Sequence, residues 1–161
     1  MAGRRSHDPL DGLRGDDLPG SWRFEAGTPA IAAVVGLGAA ITWLESIGFE
    51  AIAAHERTLT EHALRVLPAV RGLRLLAAPA GRVPVFAFTL AGIHAHDVGT
   101  VVDQDGIAIR TGHHCAQPLM EHLGVAAVGR ASLALYNTTD ELDALVESLD
   151  RVGRMFRGAS R

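Results

Sequence analysis

The stretch from Arg110 to Met120 reads RTGHHCAQPLM, and the rest of the chain can be organised around it. It holds the only cysteine, Cys115, and two of the eight histidines. The apolar run Ile107–Arg110 just before it predicts a buried strand that delivers the motif at its end. Pro118–Leu123 predicts a helical turn that ends before Gly124. We therefore expect the cysteine to lie in a loop at the end of a strand.

Outward from this loop, apolar spacing and breaker residues divide the chain into helices and strands. Apolar residues recur three and four apart from Ile31 to Leu44, and Pro68 follows the next helical pattern. Pro84 near the beginning of its run indicates a strand start or an edge strand. The predicted order is helix, helix, strand, strand, helix, strand, strand, helix, over 31–47, 49–67, 73–76, 83–90, 94–106, 107–110, 130–136 and 138–152.

This order predicts an α+β fold, a two-layer sandwich with a mainly antiparallel sheet. Thr138 and Glu141 have the spacing of a capping box, which predicts the start of the last amphipathic helix. On the first helix, the small residues Gly36, Ala39 and Ala40 share one face. That face suits either a core helix or a subunit interface.

Length, composition and charge exclude several classes of protein. The chain has 161 residues, 48% of them apolar and 20% charged, as in one ordinary globular domain. A net charge of −3 gives no basic footprint for nucleic acid. All 15 basic residues are arginine, so no lysine is present to form a Schiff base.

The domain and compartment predictions come from the ends of the chain and its apolar segments. Residues 1–22 are rich in Arg, Asp and Gly and predict a disordered leader, followed by a domain at 23–157 and a tail at 158–161. The leader lacks the apolar core of a signal peptide, and the run Ala30–Leu44 is short for a membrane span. A single cysteine cannot form an intramolecular disulfide, which fits a reducing compartment. We expect a cytoplasmic protein that binds neither membranes nor nucleic acid.

The local pattern around Cys115 leaves three interpretations open. Cys115 could be a buried structural residue, since adjacent histidines often only pack or cap. It could be a reactive thiol, because Arg110 and His114 are near enough in sequence to favour the thiolate. A metal site ranks well below that, because the available donors lack the separated ligand pairs of a structural zinc site. Those donors are His113, His114, Cys115 and His122, or His94 and His96.

Three motifs in register carry a resemblance to a known family. They are RFEAGTP at 23–29, RTGHHCAQPLM at 110–120 and RASLALYNT at 130–138. Together they resemble the C-terminal portion of SufS-type (group II) cysteine desulfurases, in the class V aminotransferase family of pyridoxal-phosphate enzymes. The similarity runs from about Trp22 to Arg157. It implies the small C-terminal domain of a fold-type I pyridoxal-phosphate enzyme.

The resemblance implies roles for individual residues. Cys115 matches the cysteine that takes sulfur from a cysteine substrate as a persulfide, with release of alanine. Arg130 matches the arginine that binds the substrate carboxylate, and Arg110 is predicted to bind the substrate with it. Arg110, His113 and His114 match the loop that shapes the site. Thr28 matches a residue that reaches the cofactor phosphate of the partner subunit. No metal is expected.

One feature of the family has no counterpart in these 161 residues, namely the domain whose lysine holds pyridoxal phosphate. We therefore expect no covalently bound pyridoxal phosphate and no desulfurase activity from this chain alone. A split or truncated enzyme would need a separate pyridoxal-binding chain or a full-length desulfurase. The alternatives are a persulfide carrier or interaction module without enzymatic activity, and a gene remnant. Bare apolar surface on the first helix predicts self-association, and the persulfide would feed a sulfur acceptor in iron–sulfur cluster assembly.

Overall fold

A computed structural model describes residues 27–76 and 82–158. The predicted leader, the beginning of the 23–29 motif and residues 159–161 lie outside the described residues. The chain divides into two compact units, Met1–Ile47 and Gly48–Arg161. No single helix in the described ranges is long and apolar enough to cross a membrane, although Ile31–Ile47 and Phe49–Ala69 would pass together on length and composition.

The first unit contributes one helix, α1, at Ile31–Ile47, just after the turn that contains Thr28. The helix is apolar around its circumference, and none of its residues is buried. The prediction of a helix ending before Gly48 is confirmed.

The core of the protein lies in the second unit. Its helices and strands are α2 (Phe49–Val66), a 3-10 turn (Leu67–Ala69), β1 (Leu73–Leu76), β2 (Val85–Leu90), α3 (Ala95–Asp103), β3 (Arg110–Gly112), α4 (Gln117–Leu123), β4 (Val128–Ser132) and α5 (Thr139–Gly158).

The four strands form one antiparallel sheet in the order β1-β2-β4-β3, which confirms the predicted fold class. Pro84 precedes an interior strand, so it marks a strand start rather than an edge. Phe88 of β2 lies opposite Gly129 of β4. A Cβ atom at position 129 would lie 2.8 Å from the Phe88 ring, so the large aromatic side chain requires glycine as its neighbour.

Helices α2, α3 and α5 cover one face of the sheet and form the main core with Phe86 and Phe88. The alternation of β2 directs these phenylalanines to that face, whereas Ala87 points to the other face. A smaller cluster on the second face joins Leu76, Val128 and Met120 of α4. The sheet therefore has two different faces, and the alternation of side chains along its strands decides which of them meet on each face.

Polar contacts join the helices of the main layer. Asp105, just after α3, accepts hydrogen bonds from Ser148 Oγ at 2.6 Å and from Arg151 Nη2 at 2.6 Å. These two α5 side chains, the hydroxyl first, lower the pKa of Asp105. The capping box at the start of α5 is confirmed, because Thr138 N–H donates to Glu141 Oε2 at 2.9 Å and Glu141 N–H donates to Thr138 Oγ1 at 3.3 Å.

Three strand predictions were wrong in their bounds. The strand predicted at 83–90 begins only at Val85, after Pro84. Ile107–Ile109 is not in a strand, because Ile107 N–H donates to the Val102 carbonyl at the end of α3 at 3.2 Å. Ile107–Ile109 and the end of β4 both line a cavity of about 280 Å³, and the pairing of β3 with β4 begins at Arg110. The β4 strand begins at Val128 and ends at Ser132. It ends there because residues 134–137 form a turn, in which Ala134 N–H donates to Asn137 Oδ1 at 2.8 Å.

Candidate functional site

Cys115 lies in the loop between β3 and α4, and its side chain is exposed. The backbone of His114 and Cys115 is left-handed, with φ of 56° and 57°. This conformation costs a residue other than glycine about 1–3 kcal/mol, and it persists only where the surroundings impose it. We call these two residues the thiol elbow. Its strain is typical of a functional loop and turns the sulfur away from the core.

The sheet places two arginines side by side near the elbow. Arg110 of β3 and Arg130 of β4 are directly opposite in the register, so their side chains share one face of the sheet. By strand alternation it is the face of Val128 and the smaller cluster, away from the main helix layer. Like charges in directly opposite positions are destabilising. The pairing is explained if an anionic group binds between them.

The buried atoms of Arg130 indicate the same kind of ligand. Its Nε atom is buried and has no hydrogen-bond partner within the described residues. A buried donor without a partner costs free energy that an acceptor would recover. A guanidinium group presents paired donors that match a carboxylate. The site is therefore suited to a carboxylate or a similar small anion.

Arg110 also lies beside the sulfur. Its Nη2 atom is 3.9 Å from Cys115 Sγ, within the range of a weak N–H···S hydrogen bond. The guanidinium therefore places a positive charge and an N–H donor beside the sulfur. The exposed sulfur, its cationic neighbour and the strained backbone favour the reactive-thiol interpretation over a buried structural cysteine.

His114 is half-buried and contacts the neighbouring strand. Its Nε2 atom lies 3.3 Å from the Val128 carbonyl oxygen. Burial lowers the pKa of His114, and the positive charges of Arg130 and Arg110 act in the same direction, while the hydrogen bond to Val128 opposes them. His114 is therefore neutral at pH 7. His113 next to it is exposed, and its backbone carbonyl accepts a hydrogen bond from the Ala116 N–H at 2.9 Å.

The structure brings Arg110, His114, Cys115 and Arg130 together. Thr28 lies exposed in the first unit, before α1. Gly99 of α3 helps to place the edge strand, because a Cβ at this position would lie 2.7 Å from Thr111 Cγ2. Sequence reasoning missed this close approach, although a glycine inside a helical pattern is a signal for one. Among the described residues no cluster of three or more His, Cys, Asp or Glu side chains could hold a metal ion.

Comparison with known proteins gives the family. The profile of the aminotransferase class V family matches residues 15–145, which is most of the chain. The chain belongs to the class V aminotransferase family. A cysteine desulfurase from Cronobacter sakazakii is 53% identical over 134 residues, covering 83% of this chain and 33% of that protein.

Solved structures give the same result for the fold. The cysteine desulfurase CsdA from Escherichia coli, in its S-sulfonic acid form, matches with a TM-score of 0.76 at 40% identity, over 83% of this chain and 33% of that one. A cysteine desulfurase from Thermococcus onnurineus NA1 matches with a TM-score of 0.75 at 33% identity, over 83% and 34%. The resemblance to desulfurases is thus confirmed. The chain spans about a third of the length of the curated relatives it matches.

The cysteine desulfurase family uses pyridoxal phosphate, and the residues of this chain can be compared with what that cofactor needs. Covalent attachment requires an amine, and none of the 161 residues is lysine. The chain therefore does not fit the covalent part of the cofactor site. What it offers is a thiol, two arginines and a strained loop.

Proposed function

We propose that this chain is the sulfur-accepting part of a cysteine desulfurase, with Cys115 as the nucleophile and Arg130 as the group that binds the substrate carboxylate. The observation that carries the proposal is the exposed Cys115 thiol on a left-handed elbow, with Arg110 Nη2 3.9 Å from its sulfur. The unpartnered Nε of Arg130 supports the carboxylate role. Similarity to desulfurases over most of the chain supports the reaction class.

In the proposed reaction the Cys115 thiolate attacks the sulfur of a cysteine substrate. An S–S bond forms while the Cβ–S bond of the substrate breaks, and the electron pair remains on the carbon, which is protonated to give alanine. Arg130 holds the substrate carboxylate, Arg110 places a positive charge beside the sulfur, and His113 and His114 shape the loop. The sulfur then passes from the persulfide to an acceptor protein in iron–sulfur cluster assembly.

Activation of the substrate must come from outside these 161 residues. We propose a complementing pyridoxal-binding chain or a full-length desulfurase as the partner, with Thr28 reaching the cofactor phosphate of that partner. The apolar circumference of α1 supports association with such a partner or with a second copy of the chain. We place the protein in the cytoplasm, where a single unpaired cysteine remains reduced.

A complementation assay tests the proposal. The chain is mixed with cysteine and a full-length desulfurase that keeps its lysine but whose own nucleophilic cysteine is replaced by serine. We expect alanine release that depends on Cys115 and is lost in Cys115→Ser. The absence of alanine in every mixture, with both proteins folded, would contradict a desulfurase role.

A second function, a persulfide carrier without enzymatic activity, is favoured by the combination of an exposed thiol and no lysine. A carrier would accept sulfur from a complete, active desulfurase and would release no alanine in the complementation assay. Two mixtures therefore separate the two functions: the complementation assay, and an incubation of the chain with cysteine and a complete, active desulfurase. A gene remnant would be inert in both.

A further inference from the structure

The His114 side chain connects the thiol elbow to the adjacent strand. Its Nε2 atom lies 3.3 Å from the carbonyl oxygen of Val128, the first residue of β4. A carbonyl oxygen can only accept, so Nε2 must carry the hydrogen and donate it. The contact joins a residue with φ of 56° to a strand in the centre of the sheet. A strained backbone is therefore tied to a rigid support.

The other ring nitrogen indicates that the ring acts through its position and not through its charge. Nδ1 of His114 is buried and has no hydrogen-bond partner within the described residues. Burial, Arg130 and Arg110 all lower the pKa of His114, so the ring is neutral at pH 7 with a lone pair at Nδ1. A neutral ring supplies no positive charge to the neighbouring sulfur. Its visible contribution is the hydrogen bond to Val128.

We infer that His114 is a positioning residue, whose hydrogen bond to Val128 holds the thiol elbow so that the Cys115 sulfur stays exposed beside Arg110. Without that bond, the left-handed pair would relax towards ordinary backbone conformations, and the sulfur would move away from the guanidinium. The inference deepens the proposed function and rests on it for its biological meaning. The geometry itself can be tested on the chain alone.

The probe is the selectivity of Cys115 between two alkylating reagents, iodoacetate and iodoacetamide. Both reagents react with the same thiolate, so the ratio of their rate constants does not depend on how much thiolate is present. Only the anionic reagent is attracted by the Arg110 guanidinium beside the sulfur. The ratio therefore measures how close this charge lies to the sulfur. General loosening of the fold would expose the thiol to both reagents and would raise both rate constants.

Three substitutions separate the hydrogen bond from the backbone conformation. His114→Phe keeps a ring but has no donor, and His114→Gln places an amide N–H at a reach similar to that of Nε2. His114→Asn tolerates a left-handed backbone but is too short to reach Val128. Arg110→Gln gives the ratio that remains when the charge is absent, and His122→Phe on the exposed face of α4 is the matched control. Circular dichroism confirms that each variant is folded.

We expect His114→Phe and His114→Asn to lower the iodoacetate-to-iodoacetamide ratio about threefold at low salt, towards the value of Arg110→Gln. His114→Gln and His122→Phe should keep the wild-type ratio. A wild-type ratio in folded His114→Asn, or a loss in His114→Gln as large as in His114→Asn, would overturn the inference. If His114→Phe does not fold, the comparison of the ratios in His114→Gln and His114→Asn tests the inference. Neither outcome depends on alanine release, so failure of the inference is distinguishable from failure of the desulfurase proposal.

Discussion

Removing the charge of Arg130 should make the folded protein more stable while it destroys the proposed function. Arg130 lies directly opposite Arg110 across two strands, and its buried Nε lacks a partner. Relief of like-charge repulsion across an antiparallel pair contributes roughly 0.2–1 kcal/mol. Removal of the unsatisfied donor adds an amount on the order of 1 kcal/mol. For Arg130→Met, whose side chain replaces most of the apolar stem, we expect a gain of about 1–2 kcal/mol in the free energy of unfolding.

Urea denaturation followed by circular dichroism measures this change, provided that wild type and variant unfold with the same m-value. The matched control is Arg74→Met, an exposed arginine opposite Thr89 in the same sheet, which should change stability by less than about 0.5 kcal/mol. In about 1 M salt the repulsive part should disappear, and the gain from the unsatisfied donor should remain. A loss of stability in Arg130→Met would refute the reasoning, because it would make the guanidinium a structural group.

Three further predictions concern the sheet, the loop and the last helix. Gly129→Ala should destabilise the protein by about 1–3 kcal/mol in urea denaturation, because the new methyl group would collide with the Phe88 ring, and an unchanged midpoint would contradict this close packing. Because the pKa of His114 is lowered in the folded protein, the unfolded chain takes up a proton at this histidine first as pH falls. Stability is therefore lost as pH falls below about 6.5. The free energy of unfolding should fall more between pH 7 and 5 in the wild type than in His114→Gln. Thr138→Ala should lower the free energy of unfolding by about 1 kcal/mol, because it removes the capping-box bond to Glu141 N–H. The pKa of Glu141 is lowered by Asn137 and then by the Thr138 amide, so the stability that Glu141 contributes should be lost as pH falls below about 4.5. Equal acid sensitivity in wild type and Glu141→Gln would refute this.

The helices and the fold class could be predicted from the sequence because their signals are local. Apolar spacing and breaker residues determine α1 and α2, and the Thr138–Glu141 capping box defines the start of α5. The strand bounds could not be predicted in the same way. Ile107–Ile109 is apolar enough for a strand, but a bond from Ile107 to the end of α3 draws it away from β4.

The candidate site shows a similar limit. The residues near Cys115 in sequence indicated its chemistry, but the register that places Arg110 opposite Arg130 depends on strands that are distant in sequence. The left-handed backbone of the thiol elbow could not be predicted from the sequence either, because neither His114 nor Cys115 is glycine. Such strain is imposed by tertiary contacts, among them the bond from His114 to Val128.

The central claim is that Cys115 accepts sulfur, and its most direct test is the mass of the peptide that contains this residue. The chain is incubated with cysteine and a full-length desulfurase that keeps its lysine but whose own nucleophilic cysteine is replaced by serine, and is then digested without reductant. We expect the Cys115 peptide to gain the mass of one sulfur atom, and no such gain in Cys115→Ser. An unmodified Cys115 peptide in this mixture, with both proteins folded, would contradict the account.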